Sequence, residues 1–101
     1  MYLIQLLLPI YDNAGRRFAR SKLNAVKTLL TRAFGGLTVY KRSPAEGLSA
    51  EGNGVVRDDI VIFEVMTGEL KKRWWTNYRQ RLEKEFKQDT IIVRASKIRL
   101  L

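Results

Sequence analysis

The sequence predicts an α+β domain, with one four-stranded antiparallel sheet and two helices on the same face of that sheet. Two segments carry apolar residues at helical spacing, and four others are rich in residues that favour strands. Their order along the chain is strand, helix, strand, strand, helix, strand. This order is that of the ferredoxin-like βαββαβ fold, in which right-handed crossovers bring both helices to one side of the sheet. The other side of the sheet is left open.

The first half of the chain supplies a strand, a helix and the start of a second strand. Residues 2–8 are apolar except for Gln5 and predict a buried strand. Ser21 is the predicted helix cap, and a start one turn earlier is the alternative. Gly35 is predicted to end this helix, because glycine adopts the left-handed conformation at little cost. The next strand begins with strand-favouring residues, namely Thr38, Val39 and Tyr40.

The second half predicts a hairpin loop, a long strand, a helix and a last strand. Residues 44–54 contain three glycines and no periodicity, which favours a mobile loop. Residues 55–67 predict the longest strand, with Asp58 and Asp59 marking a bulge or a late start. Residues 69–88 predict a helix whose first residue, a glutamate, lies favourably at the positive end. Residues 90–96 predict the last strand.

Length and composition limit the possible functions. At 101 residues and 46% hydrophobic residues, the chain predicts a single globular domain spanning residues 1–101. It contains neither cysteine nor histidine, which excludes Cys–His and Ser–His–Asp catalysis and most zinc sites. Any acid–base chemistry falls to Asp, Glu, Lys or Tyr. No motif predicts a cofactor. The adjacent Asp58 and Asp59 are only weak candidates for a cation site, since successive residues of a strand point to opposite faces of the sheet.

The apolar N-terminus lacks the features of a targeting segment. It has no basic residue before Pro9, which ends the apolar run after about eight residues, whereas a membrane helix needs about 20. We therefore expect a cytoplasmic protein without a membrane partner.

The net charge of +9 is unevenly distributed, and basic, acidic and basic segments follow one another. Both predicted helices are basic, so a positive helical layer is expected. The nucleic-acid interpretation assigns phosphate contacts to Arg20, Lys22 and Lys27. The favoured alternative is a solvated helix face in a basic protein. The third strand offers one aromatic ring, which does not match the paired base-stacking rings of RNA-recognition domains.

Several short motifs resemble those of a family of small uncharacterised bacterial proteins. They are YLIQLLLP (2–9), YDNAG (11–15), FGGLT (34–38), SPAEG (43–47), DDIV (58–61) and the run of Trp, Tyr, Leu and Phe within 74–88. The overall layout is similar to the dimeric α/β-barrel group. This resemblance implies pairing through the open sheet face and a small-molecule ligand, and it is consistent with the product of a mobile (integron) gene cassette.

Strand alternation divides the apolar residues between the two faces of the predicted sheet. One parity faces the helices: Ile4, Leu6, Val39, Val61, Phe63, Val65, Ile91 and Val93. The other parity lies on the open face: Leu3, Leu7, Ile60, Ile62 and Ile92. An apolar surface of that size is unfavourable in contact with water, so we expect a homodimer that covers it.

Five polar residues share the open face with these apolar ones: Gln5, Tyr40, Arg42, Glu64 and Arg94. In the usual strand order the first strand lies between the third and fourth, so Gln5 is predicted between Glu64 and Arg94. A few convergent polar groups on an apolar wall are typical of a small-molecule site. Glu64, the only carboxylate of the set, is then the candidate general base. The alternative, slightly favoured over catalysis, is a structural ion pair between Glu64 and Arg94 at a dimer interface.

The helical spacing of Trp74, Trp75 and Tyr78 favours a place in the core over an aromatic ligand wall. Three functions therefore stay open. The leading one is a homodimer with a small-molecule site, with or without catalysis. The others are a nucleic-acid-associated basic protein and a protein-interaction module without a ligand.

Overall fold

The fold is the predicted α+β ferredoxin-like arrangement. The computed structural model of the chain describes residues 1–48 and 55–101, and within these the side chains of residues 1–41 and 60–101. The elements follow in the order β1 (Tyr2–Pro9), α1 (Arg20–Phe34), β2 (Thr38–Leu48), β3 (Val55–Thr67), α2 (Lys72–Glu85) and β4 (Ile92–Lys97).

The four strands form one antiparallel sheet in the order β2-β3-β1-β4. The predicted position of β1 between β3 and β4 is confirmed. In this register Gln5 of β1 lies opposite Glu64 of β3 on one side and Arg94 of β4 on the other.

The core lies between the sheet and the two helices. Of the residues predicted to face the helices, six are buried: Ile4, Leu6, Val61, Phe63, Val65 and Ile91. Val39 and Val93 are partly buried against the same cluster. α1 contributes Val26 and Leu30 to the core, and α2 contributes Trp75, Tyr78 and Leu82. The register confirms the predicted division of apolar residues between the two faces, but Ile62, on the open face, is only 5% exposed.

The end of α1 lies where the sequence predicts it, whereas its start does not. Gly35 ends the helix in the left-handed conformation at φ 79°, and its N–H donates to the carbonyl of Thr31 at 2.8 Å, as predicted. The predicted cap at Ser21 is wrong, because the helix already begins at Arg20 and Ala19 is its N-cap. Ala19 has no side-chain oxygen to offer, so the start of α1 lacks a side-chain cap.

α2 is shorter than the predicted range 69–88. Lys71 adopts a left-handed conformation at φ 48°, so helical geometry begins only at Lys72. Glu69 therefore precedes the first turn, and its predicted place at the positive end of the helix is wrong. Lys84 lies in the last turn as expected, but Lys87 lies beyond the helix at φ 49°. Within the described ranges, neither helix is long and apolar enough to cross a membrane.

The β2–β3 hairpin departs from the prediction at its far end. β2 continues to Leu48, so the first part of the predicted loop is strand, and residues 49–54 lie outside the described residues. The register shifts between Arg42 and Ala45 of β2, opposite Asp59. The extra residues therefore lie in β2, and not at Asp58 and Asp59 as predicted. The bounds of β3 are those predicted. β4 begins two residues later than predicted, at Ile92.

Candidate ligand-binding site on the open sheet face

A polar row crosses the open face of the sheet. Strand pairing aligns its four members in the order Thr38, Glu64, Gln5 and Arg94, one from each strand. One flanking row consists of Tyr40, Ile62, Leu7 and Ile92. The other consists of Met66, Leu3 and Ser96. The polar groups thus lie between two largely apolar strips.

Hydrogen bonds connect this polar row. Arg94 Nε donates to Gln5 Oε1 at 2.8 Å, and Gln5 Nε2 donates to Glu64 Oε1 at 2.9 Å. Tyr40 reaches diagonally, and its hydroxyl donates to Glu64 Oε2 at 3.3 Å. The amide of Gln5 therefore accepts from a cation and donates to an anion, which fixes its orientation.

Within one chain, Glu64 and Arg94 do not form the direct ion pair of the alternative interpretation. Both side chains lie on the open face as expected, but Gln5 stands between them and relays the interaction. Glu64 and Arg94 lie two strand spacings apart, roughly 10 Å, and the Gln5 side chain fills the space between them.

The row keeps unused capacity for a ligand. The guanidinium of Arg94 has five N–H donors, and only the bond from Nε to Gln5 involves another described residue. From the described side chains, each oxygen of Glu64 accepts one bond, and each can accept a second. Gln5 and Glu64 are half-buried, whereas Tyr40 is 46% exposed. An exposed cation and a half-buried anion therefore lie on opposite sides of Gln5 in one row.

Two surface cavities adjoin the ends of the polar row. One, of about 260 Å³, lies beside Arg94 between β4 and α2, where Trp75 and Arg79 line it. The other, of about 380 Å³, lies beside Glu64 and is lined by Gly36 and Thr38 among others. Neither of these two cavities reaches Gln5 in the middle of the row, where a second molecule would complete the enclosure of a ligand.

The structure brings together four of the five predicted site residues. Gln5, Tyr40, Glu64 and Arg94 are connected, whereas the backbone of Arg42 pairs with Ile60 and its side chain lies outside the described set. Thr38 is a member of the row that the sequence prediction missed. Thr38 lies two residues before Tyr40 in the same strand, so strand alternation alone would have placed it on the open face.

The aromatic residues of α2 belong mainly to the core, as expected. Trp75 and Tyr78 are each 6% exposed, whereas Trp74 is half-buried. The Phe34 ring at the end of α1 stacks on Trp75 with 5.3 Å between centroids. Burial raises the pKa of Tyr78 to about 12, which keeps its hydroxyl protonated. Trp75 Nε1 is buried without a hydrogen-bond partner in the described part of the chain.

The three basic residues proposed for nucleic acid do not form one surface. Lys22 Nζ donates to the carbonyl of Glu85 at 2.8 Å and lies 5.5 Å from the Phe18 ring centroid, so it joins α1 to the end of α2. Arg20 and Lys27 instead line a separate cavity on the helical side of the sheet.

A metal centre has little support from the side chains. Among those that the structure describes, no group of three or more ligating residues comes together. Asp58 pairs with Ala45 of β2 and Asp59 lies at the register shift, but the side chains of both lie outside the described set.

Comparison with known proteins finds a likeness of fold alone. No family model matches the chain, and no curated protein matches its sequence. A similar solved structure is that of a phage SAM lyase in complex with S-methyl-5′-thioadenosine. The TM-score is 0.60 at 10% sequence identity, and the match covers 95% of this chain and 80% of that chain. The βαββαβ domain described above is therefore an arrangement that a known enzyme also adopts.

Proposed function

We propose that the protein binds a small zwitterionic organic molecule on the open face of its sheet, and that a second copy of the chain covers the bound ligand. The observation that carries this proposal is the relay from Arg94 through Gln5 to Glu64. When a second copy covers this polar row, its charged groups lose their contact with water at a cost in free energy. A ligand with complementary charges offsets that cost.

The two charged residues of the row, Arg94 and Glu64, would recognise opposite charges. The terminal nitrogens of Arg94 suit a carboxylate, which a guanidinium binds through two parallel hydrogen bonds. The carboxylate of Glu64 attracts a cationic centre, and the Tyr40 hydroxyl helps to hold Glu64 in place. The flanking strips supply apolar contacts for the uncharged part of the ligand.

S-Adenosylmethionine is the first ligand to test. It carries a carboxylate, an ammonium group and a sulfonium cation, which complement a guanidinium and a carboxylate on one surface. The phage SAM lyase of similar fold was solved with S-methyl-5′-thioadenosine, a compound that shares its thioadenosine part. Glu64 is the carboxylate in this row that is placed to act as a general base if a reaction follows binding.

Isothermal titration with S-adenosylmethionine tests the proposal. We expect wild-type binding, and an affinity about ten-fold or more weaker for Glu64→Gln and for Arg94→Met, because each removes a charged hydrogen-bond partner. Lys97→Met removes the same charge from β4 outside the polar row and should leave the affinity within about two-fold. S-Adenosylhomocysteine, which lacks the sulfonium charge, should bind more weakly than S-adenosylmethionine.

Chromatography of the same mixtures separates binding from turnover. S-methyl-5′-thioadenosine accumulates faster than in a protein-free control only if the protein cleaves the ligand. Undetectable wild-type binding, or equal binding by wild type and both row variants, would contradict the proposal.

A further inference from the structure

A second candidate site lies on the helical side of the sheet, away from the polar row. It is a cavity of about 340 Å³ between α1 and the inner surface of β2 and β3. Four basic side chains line it: Arg17, Arg20, Lys27 and Lys41. Asn24 and four apolar residues form the rest of its wall: Ile10, Leu23, Val61 and Phe63. Charge and apolar surface therefore meet in one concave space.

The local structure explains why these residues converge. Arg20, Asn24 and Lys27 recur at spacings of four and three, so they share one face of α1. Lys41 of β2 lies opposite Val61 of β3, with its side chain on the same side of the sheet. The loop before α1 is held against β1, because the Phe18 N–H donates to the Ile10 carbonyl at 2.8 Å. This contact brings Arg17 to the cavity.

Among the described side chains, no acidic residue balances the positive charge of the cavity. Its lining contains no acidic residue, and α1 carries none along its length. The ion pairs of the described side chains join Arg16 to Asp12 and two arginines of α2 to glutamates of the same helix, and do not involve the four basic residues of the cavity. Arg20 also lies at the positive end of the helix dipole, where a cation is unfavourable. An anion in the cavity would relieve this repulsion.

We propose that this cavity binds a small phosphorylated metabolite, with the phosphate held by Arg20, Lys27 and Lys41 and the organic part on the apolar wall. The volume lies at the lower end of the range of small-molecule pockets, roughly 300–1,000 Å³. The concave shape and apolar wall favour such a ligand over a nucleic-acid backbone, which requires a continuous basic strip. Lys22, on the same half of α1, is engaged with α2 instead of extending such a strip.

NMR titration of the ¹⁵N-labelled full chain with pyrophosphate and with adenosine monophosphate tests the proposal. We expect shifts concentrated on the amides of the cavity residues. Arg20→Gln and Lys27→Gln should each weaken binding about ten-fold, since each removes a charge-assisted hydrogen bond. Arg32→Gln removes the same charge from the same helix outside this cavity and should change the affinity less than about two-fold. Lys41→Gln, placed on the sheet, gives the same test if a change in α1 impairs folding.

Three outcomes would overturn the proposal. One is the absence of localised shifts with both probes. Another is an equal loss of affinity in Arg32→Gln, which would indicate a diffuse charge effect. The third is a single-stranded oligonucleotide that binds more tightly than adenosine monophosphate and loses affinity steeply between about 50 and 200 mM salt, which would identify a nucleic-acid surface.

Discussion

Glu83 shows how one side chain fixes the approach to the edge strand. Its Oε2 accepts hydrogen bonds from the Ile91 N–H and from Arg79 Nη1, both at 2.9 Å. The bond from Ile91 is the main cause that lowers the pKa of Glu83 from 4.5, and Arg79 adds to it. Because Ile91 is buried immediately before β4, this carboxylate anchors the strand that carries Arg94.

Replacing Glu83 with glutamine should destabilise the protein in a pH-dependent way. The folded state lowers the pKa of Glu83, so the stabilisation is complete above the unfolded value near 4.5 and is lost as the pH falls through the lower folded value. In urea unfolding, the difference between wild type and Glu83→Gln should therefore be largest at neutral pH and shrink below pH 4.5. Glu85→Gln, the matched control, removes a carboxylate that is 46% exposed in its pair with Arg81. Equal losses in the two variants would contradict this role for Glu83.

Much of the candidate site was predictable at the residue scale, because it depends on strand parity. Gln5, Glu64 and Arg94 follow from a two-residue repeat and the usual strand order. The relay through Gln5 was not predictable, since it depends on side-chain length and rotamer. The contact of Lys22 with Glu85 was not predictable either, because it joins two helices that are distant in sequence.

At the scale of elements, the junction between α1 and β2 depends on two glycines with different conformations. Gly35 has φ 79°, whereas Gly36 is not in the positive-φ region. An added Cβ at either position would have no heavy atom within 4 Å, so packing does not distinguish them. Backbone conformation alone should determine the effect of a substitution.

Alanine at these two positions should change stability in opposite directions. Gly35→Ala should lower the free energy of unfolding by about 1–2 kcal/mol, the cost of a left-handed conformation for an L-residue. Gly36→Ala should raise it by about 0.4–1 kcal/mol, because alanine restricts the unfolded chain. Guanidinium unfolding of both variants measures the difference. A change of the same sign in both would show that φ is not the deciding factor.

The predicted boundaries of β2 and α2 were wrong for local reasons. Residues 44–48 contain proline and glycine and favour a loop, yet β2 continues through them. β2 is an edge strand, where these residues are tolerated, and Pro44 falls within the register shift. The start of α2 gave no sequence signal, since a lysine rather than a glycine adopts the left-handed conformation at Lys71.

At the scale of the whole molecule, the open face leaves large apolar side chains in contact with solvent. Ile92 and Met66 are each 52% exposed there. Leu3, Leu7 and Ile60 are half-buried by their neighbours on the same face. Such a surface is typical of an interface, and pairing of two copies would cover both polar rows at once.

Replacing Ile92 with lysine should dissociate the expected homodimer. In a two-fold interface the change occurs twice. Because Ile92 is 52% exposed and only that part is left to bury, the loss of apolar burial is roughly 1.5–3 kcal/mol, or more than about ten-fold in the dissociation constant. Sedimentation equilibrium measures this constant. Leu100→Lys is the matched control, because Leu100 is 60% exposed but lies beyond β4. A wild-type protein that is monomeric at tens of micromolar would contradict the pairing.

The adjacent indoles give the chain a built-in optical reporter. Trp74 and Trp75 are its two tryptophans, and their ring centroids lie 4.8 Å apart against Phe34. All intrinsic tryptophan emission therefore originates where the end of α1 meets α2. Trp75 also lines the cavity beside Arg94. A ligand confined to the open face would leave the emission spectrum nearly unchanged, whereas one that extends past Arg94 into that cavity would shift it without any label.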